Sequence, residues 1–475
     1  GRRGPAAMSL MVSISGIRGI VGESLTPEVV TRYAAGFGSY CKQRSPDAPP
    51  TVIIGRDGRI SGRIFADTVS ASLQATGVHV RNLGICPTPT IQLAVEREGA
   101  AGGISITASH NPIQWNGLKF IGASGMFLDA EENRELLVLA DTSPEYAPWN
   151  KLGRYTDDTS WLRKHIDALL DLPYLDIESI RSRRFNVVLD CINAAGGLII
   201  PTLLEELGCW VTDVNCDVSG IFSHSPEPVP ENLTELATLV KSRGADLGIA
   251  VDPDVDRLVL ITERGEPYGE EYTIASAVRF VLGREATRGP HSEESPPTVV
   301  VNLSTTRAVD DIAAGFGARV VRTPVGEINV AKRMKELGSV IGGEGSGGVI
   351  LPAVHLGRDA VVGIGLLLQL LADAKMPLSQ LKATLPQYAI AKGKIEIHTR
   401  PMDSVLETLR HSLESSGKVN TDDGLKVDFP EHWLHLRRSN TEPIIRIIAE
   451  AKTEAQARSL VTEFSDRIAA SLSPP

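Results

Sequence analysis

TVIIGRDGRISGRIFADTVSASLQATGVHVRNLGICPTPTIQLAVEREGAAGGISITASHNP, residues 51–112, decides the fold. An apolar run, TVIIGRD (51–57), is followed by an amphipathic stretch from about Ser61 to Thr76. A second run, VHVRNLG, leads to a second helical stretch near Ile91 to Glu98, and a third, GGISIT, stops at a polar elbow, Thr107 to Pro112. Strand-sized apolar runs alternating with amphipathic helices specify parallel strands covered on both faces.

The same plan recurs twice with different residues but the same punctuation. NVVLD (186–190), the turn CINAAGG, PTLLEEL, CWVTDVN, TELATLVKSR and ADLGIAV make the second copy. TVVVN (298–302), AVDDIAAGF, ARVVRT, NVAKRMKEL and GSVIGG make the third. From about residue 385 the plan breaks into KIEIHT, a helix from Met402 to Ser415, LKVDF, HWLHLRRSNTEP, IIRIIAEA and a closing helix from Thr453 to Leu472. The expected fold class is α/β: three similar α/β domains with mixed, mainly parallel sheets plus a smaller C-terminal α+β domain, arranged around one central cleft. The expected divisions are 8–155, 156–262, 263–376 and 377–475, with Pro- and Ser-rich connections at SPDAPP (45–50), DTSPEYAPWN (141–150) and GPHSEESPP (289–297).

The third strand of every copy ends in an odd polar loop: TASHNP, DPDVDR and GEGSGG. Ligands of open α/β sheets bind beyond the carboxyl ends of the strands, so three equivalent loops can converge on one cleft. The formal net charge of -10 over 475 residues disfavours nucleic acid and anionic membranes as partners, and any site for an anionic substrate must be built locally. Five cysteines without CxxC spacing fit neither a disulfide framework nor a zinc site, and a reducing cytoplasm suits them. No apolar run approaches the roughly 18 residues of a membrane span. Residues 1–7, ahead of Met8, read as an extension to the folded chain.

Asp252, Asp254 and Asp256 crowd three carboxylates into five residues, followed at once by Arg257. Such charges repel unless a cation neutralises them, and oxygen ligands suit Mg²⁺ or Ca²⁺. Counted from Asp252, Glu263 takes the twelfth position of an EF-hand loop, but Arg257 stands where that loop needs glycine, and the flanks LGIAV and LVLIT are strands rather than helices. Mg²⁺ is the better reading. Ser109 on the first elbow reads as a helix-capping serine, as the nucleophile of a Ser-His hydrolase, or as a serine that carries a phosphoryl group beside Mg²⁺. No GxSxG elbow supports the hydrolase, and the phosphoryl relay explains the acidic loop as well. RRSNTEP (437–443) gathers a guanidinium, hydroxyls and an amide in one turn, the donors a phosphate monoester requires. Glu344 and Ser346 offer an acceptor and a donor to adjacent sugar hydroxyls, while SGIRG and NGLKF supply Arg18 and Lys119 as cations.

In order and spacing, TASHNP, DPDVDR, GEGSGG and RRSNTEP resemble the motifs of the alpha-D-phosphohexomutase superfamily, from about residue 12 to 470. The resemblance implies an isomerase in which phospho-Ser109 gives its group to a hexose phosphate, passes through a hexose 1,6-bisphosphate that also serves as activator, and recovers a phosphate. It further implies one Mg²⁺ held by Asp252, Asp254, Asp256 and the phosphoserine. Sugar contacts fall on Glu344 and Ser346, and phosphate contacts on Arg437, Ser439, Asn440 and Thr441. Arg18, His110, Lys119 and Arg257 line the transfer site, with Lys119 as general acid/base. The implied partner is a phosphosugar alone, to a cytoplasmic monomer or homodimer. Three departures from common family patterns bear on the sugar: Gly347 and Gly348 end the third loop where many relatives have histidine, Glu327 replaces a histidine of some phosphomannomutases and phosphoglucomutases, and SISGIRG lacks a Thr or Asp before its Gly-Ile-Arg. GGEGSGGVI with TPVGEINV is most similar to the archaeal-type phosphoglucosamine mutase branch, which overlaps in activity with phosphoglucomutases and phosphomannomutases.

Overall fold

The computed structural model describes residues 10–288, 296–396, 402–438 and 444–472. Each repeat builds its sheet around its own first strand. Thr51–Arg56 lies between His79–Ile85 and Gly102–Ile106 and runs parallel to both. Asn186–Asp190 holds the same place between Trp210–Val214 and Leu247–Val251, and Thr298–Asn302 between Arg319–Thr323 and Ile341–Glu344. The second helix of each repeat closes on a left-handed glycine: Gly99 (φ 60°), Gly244 (φ 59°) and Gly338 (φ 61°). A side chain at such a position costs about 1–2 kcal/mol, so the glycine that ends the helix also aims the chain into the third strand.

The three sheets are more mixed than the periodicity alone suggests. Each third strand turns straight back into an antiparallel partner, Trp115–Gly122, Leu258–Thr262 or Gly348–Ile350. The intervening loops cover residues 107–114, 252–257 and 345–347, far short of the dozen or so residues a parallel crossover needs. Gly16–Ile20 and Met11–Ser13 extend the first sheet beyond its return strand, and Tyr155–Asp157 extends its other edge.

The apolar faces of all three repeats meet in one continuous core. It runs from Ile91 and Val95 through Leu169, Leu203 and Ile249 to Val281, Val301 and the almost wholly buried helix Ala360–Ala374. A buried polar chain crosses the same junction. Thr90 Oγ1 is 2.9 Å from His165 Nδ1, and Asp359 Oδ2 lies 2.7 Å from His165 Nε2 and 2.9 Å from His355 Nε2. The C-terminal part is built differently. Ala389–Glu396, Ile444–Ala451, Trp433–Arg438, Leu425–Asp428 and Lys418–Asn420 form an antiparallel sheet in that order, with a core of its own around Val427, Leu434, Ile447 and Phe464. A unit with its own core can turn against the rest without opening the shared one.

Candidate active site

The carboxyl ends of the strands face a cleft of about 680 Å³ lined by residues of all four units. On its first wall Ser109 stands in the left-handed region (φ 50°), unusual for a residue with a side chain. The conformation is imposed from below. Arg59, wholly buried, spends all five side-chain N–H donors here: Nε on Asp57 Oδ2 (3.0 Å), Nη1 on the carbonyls of Pro112 (2.8 Å) and Trp115 (3.0 Å), and Nη2 on those of Ser109 (2.6 Å) and Asn111 (2.8 Å). Thr107 Oγ1 donates to Asp57 Oδ2 (2.6 Å) and accepts the Ser109 N–H (2.9 Å). Removing one partner of a buried ion pair costs about 3–5 kcal/mol, so Arg59→Met is expected to lower the denaturant midpoint by that equivalent and to cripple turnover. A wild-type unfolding curve would show that the elbow is set by something else.

Ser109 Oγ lies 3.1 Å from Asp252 Oδ2 across the cleft. The acidic loop is strained as well: Val255, β-branched and buried, sits at φ 61°. It is held there by Val255 N–H on Asp252 O (3.0 Å) and by Ala360 N–H on Val255 O (3.1 Å), while Asp252 Oδ1 accepts the N–H groups of Asp256 and Arg257 (3.1 Å each). Thr88 ties the loop to the first domain, N–H to Asp254 O (3.0 Å) and Oγ1 to Asp254 Oδ2 (2.7 Å). The three aspartates bring one oxygen each within 4.8 Å of one another. Burial, with Asp256 and Asp254 adding to it, pushes the Asp252 carboxyl well above the usual carboxylate range. Burial also acts on Asp256, but Arg358 and Lys119 outweigh it and hold that carboxyl low.

Two buried oxygens of this loop, Asp254 Oδ1 and Asp256 Oδ1, have no hydrogen-bond partner among the described residues, and neither has Arg257 Nε. Orphaned buried acceptors cost free energy unless a cation or donor meets them, so the donor set fits a hard divalent ion, and the orphaned guanidinium N–H fits an anion. Leu247–Val251 and Leu258–Thr262 flank the loop as strands, and Glu263 caps Ser379 N–H (3.0 Å) instead of turning inward, which removes the EF-hand alternative.

Lys119 Nζ donates to Asp254 Oδ2 (2.6 Å) and Asp256 Oδ2 (3.3 Å); burial pulls its ammonium down, but the two aspartates outweigh burial and keep it above the usual lysine range. The pairing places the ammonium directly against the acidic loop. His110 Nδ1 is 3.4 Å from Ser109 Oγ, at the limit of a hydrogen bond. Burial, then Arg257 and Arg18, push the imidazole down to about 2, so it stays neutral and is a poor partner for a Ser-His hydrolase. Arg18 Nη1 donates to Asn111 Oδ1 (3.0 Å) and steadies the end of the elbow.

The sequence reading missed the residue that joins these walls. Arg358 donates through Nη2 to Asp256 Oδ2 (2.6 Å), through Nη1 to Glu344 Oε2 (2.8 Å) and through Nε to Glu327 Oε2 (3.1 Å), linking the acidic loop to the GEGSGG loop. Nothing around HLGRDA marks it, because its three partners are distant in sequence. Glu344 Oε1 accepts from Asn302 Nδ2 (2.8 Å) and Gly326 N–H (2.9 Å), which sets its orientation beside Ser346 on the cleft wall.

Opposite, the register of the C-terminal sheet places Lys394 across from Arg446 and Arg446 across from Arg437, and all three line the cleft. Like charges directly opposite one another destabilise a sheet, so a row of three cations favours an anion against it, a need that Asp423 Oδ2 meets in part at Arg437 Nε (2.8 Å). Sequence reasoning took Arg437 and missed Lys394 and Arg446. The signal was present in IIRII, where one arginine interrupts an apolar strand. Ser439, Asn440 and Thr441 lie outside the described residues.

The phosphoglucomutase/phosphomannomutase family matches through its alpha/beta/alpha domains I (residues 11–146), II (163–265) and III (276–388) and its C-terminal domain (399–467). A protein of Methanopyrus kandleri named probable phosphoglucosamine mutase is 36% identical over 95% of this chain and 96% of its own. A phosphoglucomutase/phosphomannomutase of Thermococcus kodakarensis is 37% identical over the same shares, 95% and 96%. The crystal structure of a phosphoglucomutase/phosphomannomutase family protein from Burkholderia thailandensis superposes with a TM-score of 0.82 at 25% identity, covering 97% of this chain and 98% of that one. The molecule is thus an intramolecular phosphotransferase, an isomerase of phosphosugars. The chain belongs to the phosphoglucomutase/phosphomannomutase family of the alpha-D-phosphohexomutase superfamily, in the branch of the archaeal phosphoglucosamine mutases.

Proposed function

We propose that the chain interconverts the 6-phosphate and 1-phosphate of a hexosamine, glucosamine foremost, through phospho-Ser109 and a 1,6-bisphosphate. One observation carries this reading: Ser109 Oγ stands 3.1 Å from an acidic loop that holds two orphaned carboxylate oxygens, with the orphaned Nε of Arg257 on the same cleft. Asp252, Asp254 and Asp256 would hold Mg²⁺ with an oxygen of the phosphoserine. When bound, the ion neutralises charge that develops on the transferring phosphoryl oxygens. Lys119, as general acid/base, gives a proton to the oxygen that leaves and takes one from the hydroxyl that attacks, and Arg18 and Arg257 compensate the phosphoryl charge. Neutral His110 excludes water beside Ser109 without competing as a base. Glu344 and Ser346 receive the sugar hydroxyls, and Arg437, with Lys394 and Arg446, takes the phosphate that is not reacting. Ser439, Asn440 and Thr441 complete that grip.

The bisphosphate must turn over between the two transfers, so one grip has to accept either phosphate. A cation row on a unit with a separate core suits this requirement, and closure of that unit keeps water from the phosphoserine. The proposed units divide near residues 155, 262 and 376 and act as a cytoplasmic monomer or homodimer. The discriminating assay supplies glucosamine, glucose or mannose 1-phosphate with Mg²⁺ and a trace of the matching 1,6-bisphosphate, and follows 6-phosphate and inorganic phosphate. Fastest isomerisation of glucosamine phosphate supports the reading; preference for glucose or mannose moves it to phosphoglucomutase or phosphomannomutase; release of inorganic phosphate alone contradicts it. Hydrogen bonds to charged groups are worth roughly 1.5–3 kcal/mol, so Arg437→Lys is expected to lower kcat/KM by about tenfold to a hundredfold. The loss should be equal in both directions, as measured by forward and reverse kinetics, and a defect in one direction only would rule out a shared grip.

A further inference from the structure

Among the described residues the cation row has one acidic hydrogen-bond partner, and that carboxylate reaches across a domain boundary. Asp423 lies in the turn between Lys418–Asn420 and Leu425–Asp428. Gly424 (φ 81°) lets this turn press against the strand that carries Arg437; a Cβ there would meet Leu436 O at 2.2 Å. From this fixed point a single oxygen, Asp423 Oδ2, accepts both Arg437 Nε (2.8 Å) and the Val325 N–H of the third domain (3.0 Å). The same turn is pinned a second time: His435 Nε2 is 2.7 Å from Asp423 O, and His435 Nδ1 is 2.8 Å from Ser304 Oγ of the third domain. Val325 precedes Gly326, whose N–H bonds Glu344, which bonds Arg358, which bonds Asp256. A series of charge-assisted hydrogen bonds, joined through the Val325–Gly326 backbone, therefore runs from the cation row to the acidic loop.

We propose that Asp423 is a positioning residue for phosphoryl transfer: it holds Arg437 by Nε, turns the other edge of the guanidinium toward the phosphate, and fixes that grip in register with the sugar loop. This rests on the reading of Arg437 as a phosphate contact. A guanidinium gives a bidentate contact only when its plane is set in advance, and a group displaced by about 1 Å forfeits much of the benefit of preorganisation. Asp423 sets that plane from the C-terminal unit while Val325 N–H fixes Asp423 from the third domain, so the bisphosphate is held by walls in a defined relation as it turns over.

The test is a double-mutant cycle on the full chain with Mg²⁺, using Asp423→Ala, Arg437→Lys and their combination, with glucosamine 1- and 6-phosphate as substrates and the 1,6-bisphosphate titrated. Asp423→Ala is expected to raise KM for both substrates by about tenfold with a smaller change in kcat, and to increase dependence on added bisphosphate. In the double variant the Arg437→Lys penalty should shrink, because Asp423 acts through Arg437. Asp423→Asn keeps the turn and an acceptor oxygen and should show a smaller KM defect of the same kind, which preserves the test if the alanine variant folds poorly. Additive penalties, or a loss that follows only the melting temperature with KM unchanged, would overturn the proposal. Wild-type kinetics for Arg437→Lys alone would instead overturn the phosphate reading on which it rests.

Discussion

Ser109→Ala is expected to lose turnover by on the order of a thousandfold or more, the scale on which removal of a covalent nucleophile registers. The substitution removes one hydroxyl and leaves its surroundings in place. Arg59 still bonds the carbonyls of residues 109, 111, 112 and 115, and Thr107 Oγ1 still accepts the main-chain N–H of residue 109, so the elbow keeps its shape and the strain at φ 50° remains. The folded protein should therefore melt close to the wild type and bind glucosamine 6-phosphate with similar affinity, while incubation with bisphosphate adds no phosphoryl group to intact mass. Residual turnover near the wild-type rate would mean that another nucleophile carries the group. Loss of activity together with loss of folded structure would point to the hydroxyl as part of the elbow.

Asp254→Asn is expected to lower kcat by about a hundredfold or more with little change in KM, since charge on the acidic loop matters most when phosphoryl charge is moving. Asparagine keeps an oxygen for Thr88 and is close to isosteric, so the link between first and second domains survives. What it removes is one of the three carboxylates that would hold the ion and one of two that hold Lys119 above its usual range. Steady-state kinetics at saturating Mg²⁺, with a metal titration beside them, check this. An unchanged kcat would take the loop out of the chemistry, and a recovered kcat at high Mg²⁺ would limit its role to affinity for the ion.

The three-fold plan was legible because it is written in local signals: apolar runs of strand length, helices closed by Gly99, Gly244 and Gly338, and a polar loop after each third strand. The elbow serine and the aspartates were legible for the same reason, since their chemistry is concentrated within a few residues. The antiparallel return strands were harder to see, because LVLIT reads alike whether it runs with or against its neighbour. Side chains whose roles depend on distant partners left no mark at all. Arg59 acts on carbonyls 50 to 56 residues away, and Arg358 reaches Asp256 over 102. The cation row needs strand register, which places Lys394, Arg446 and Arg437 side by side and which no single stretch of sequence displays.

The most direct measurement is to incubate the protein with a hexosamine 1,6-bisphosphate carrying radiolabelled phosphate, map the label by peptide, and chase it with unlabelled glucosamine 6-phosphate. The label is expected on the peptide containing residues 103–112, at Ser109, and should pass to the sugar at a rate no slower than kcat. A label on any other residue, or a phosphoserine that stays on the protein while turnover proceeds, would contradict the relay.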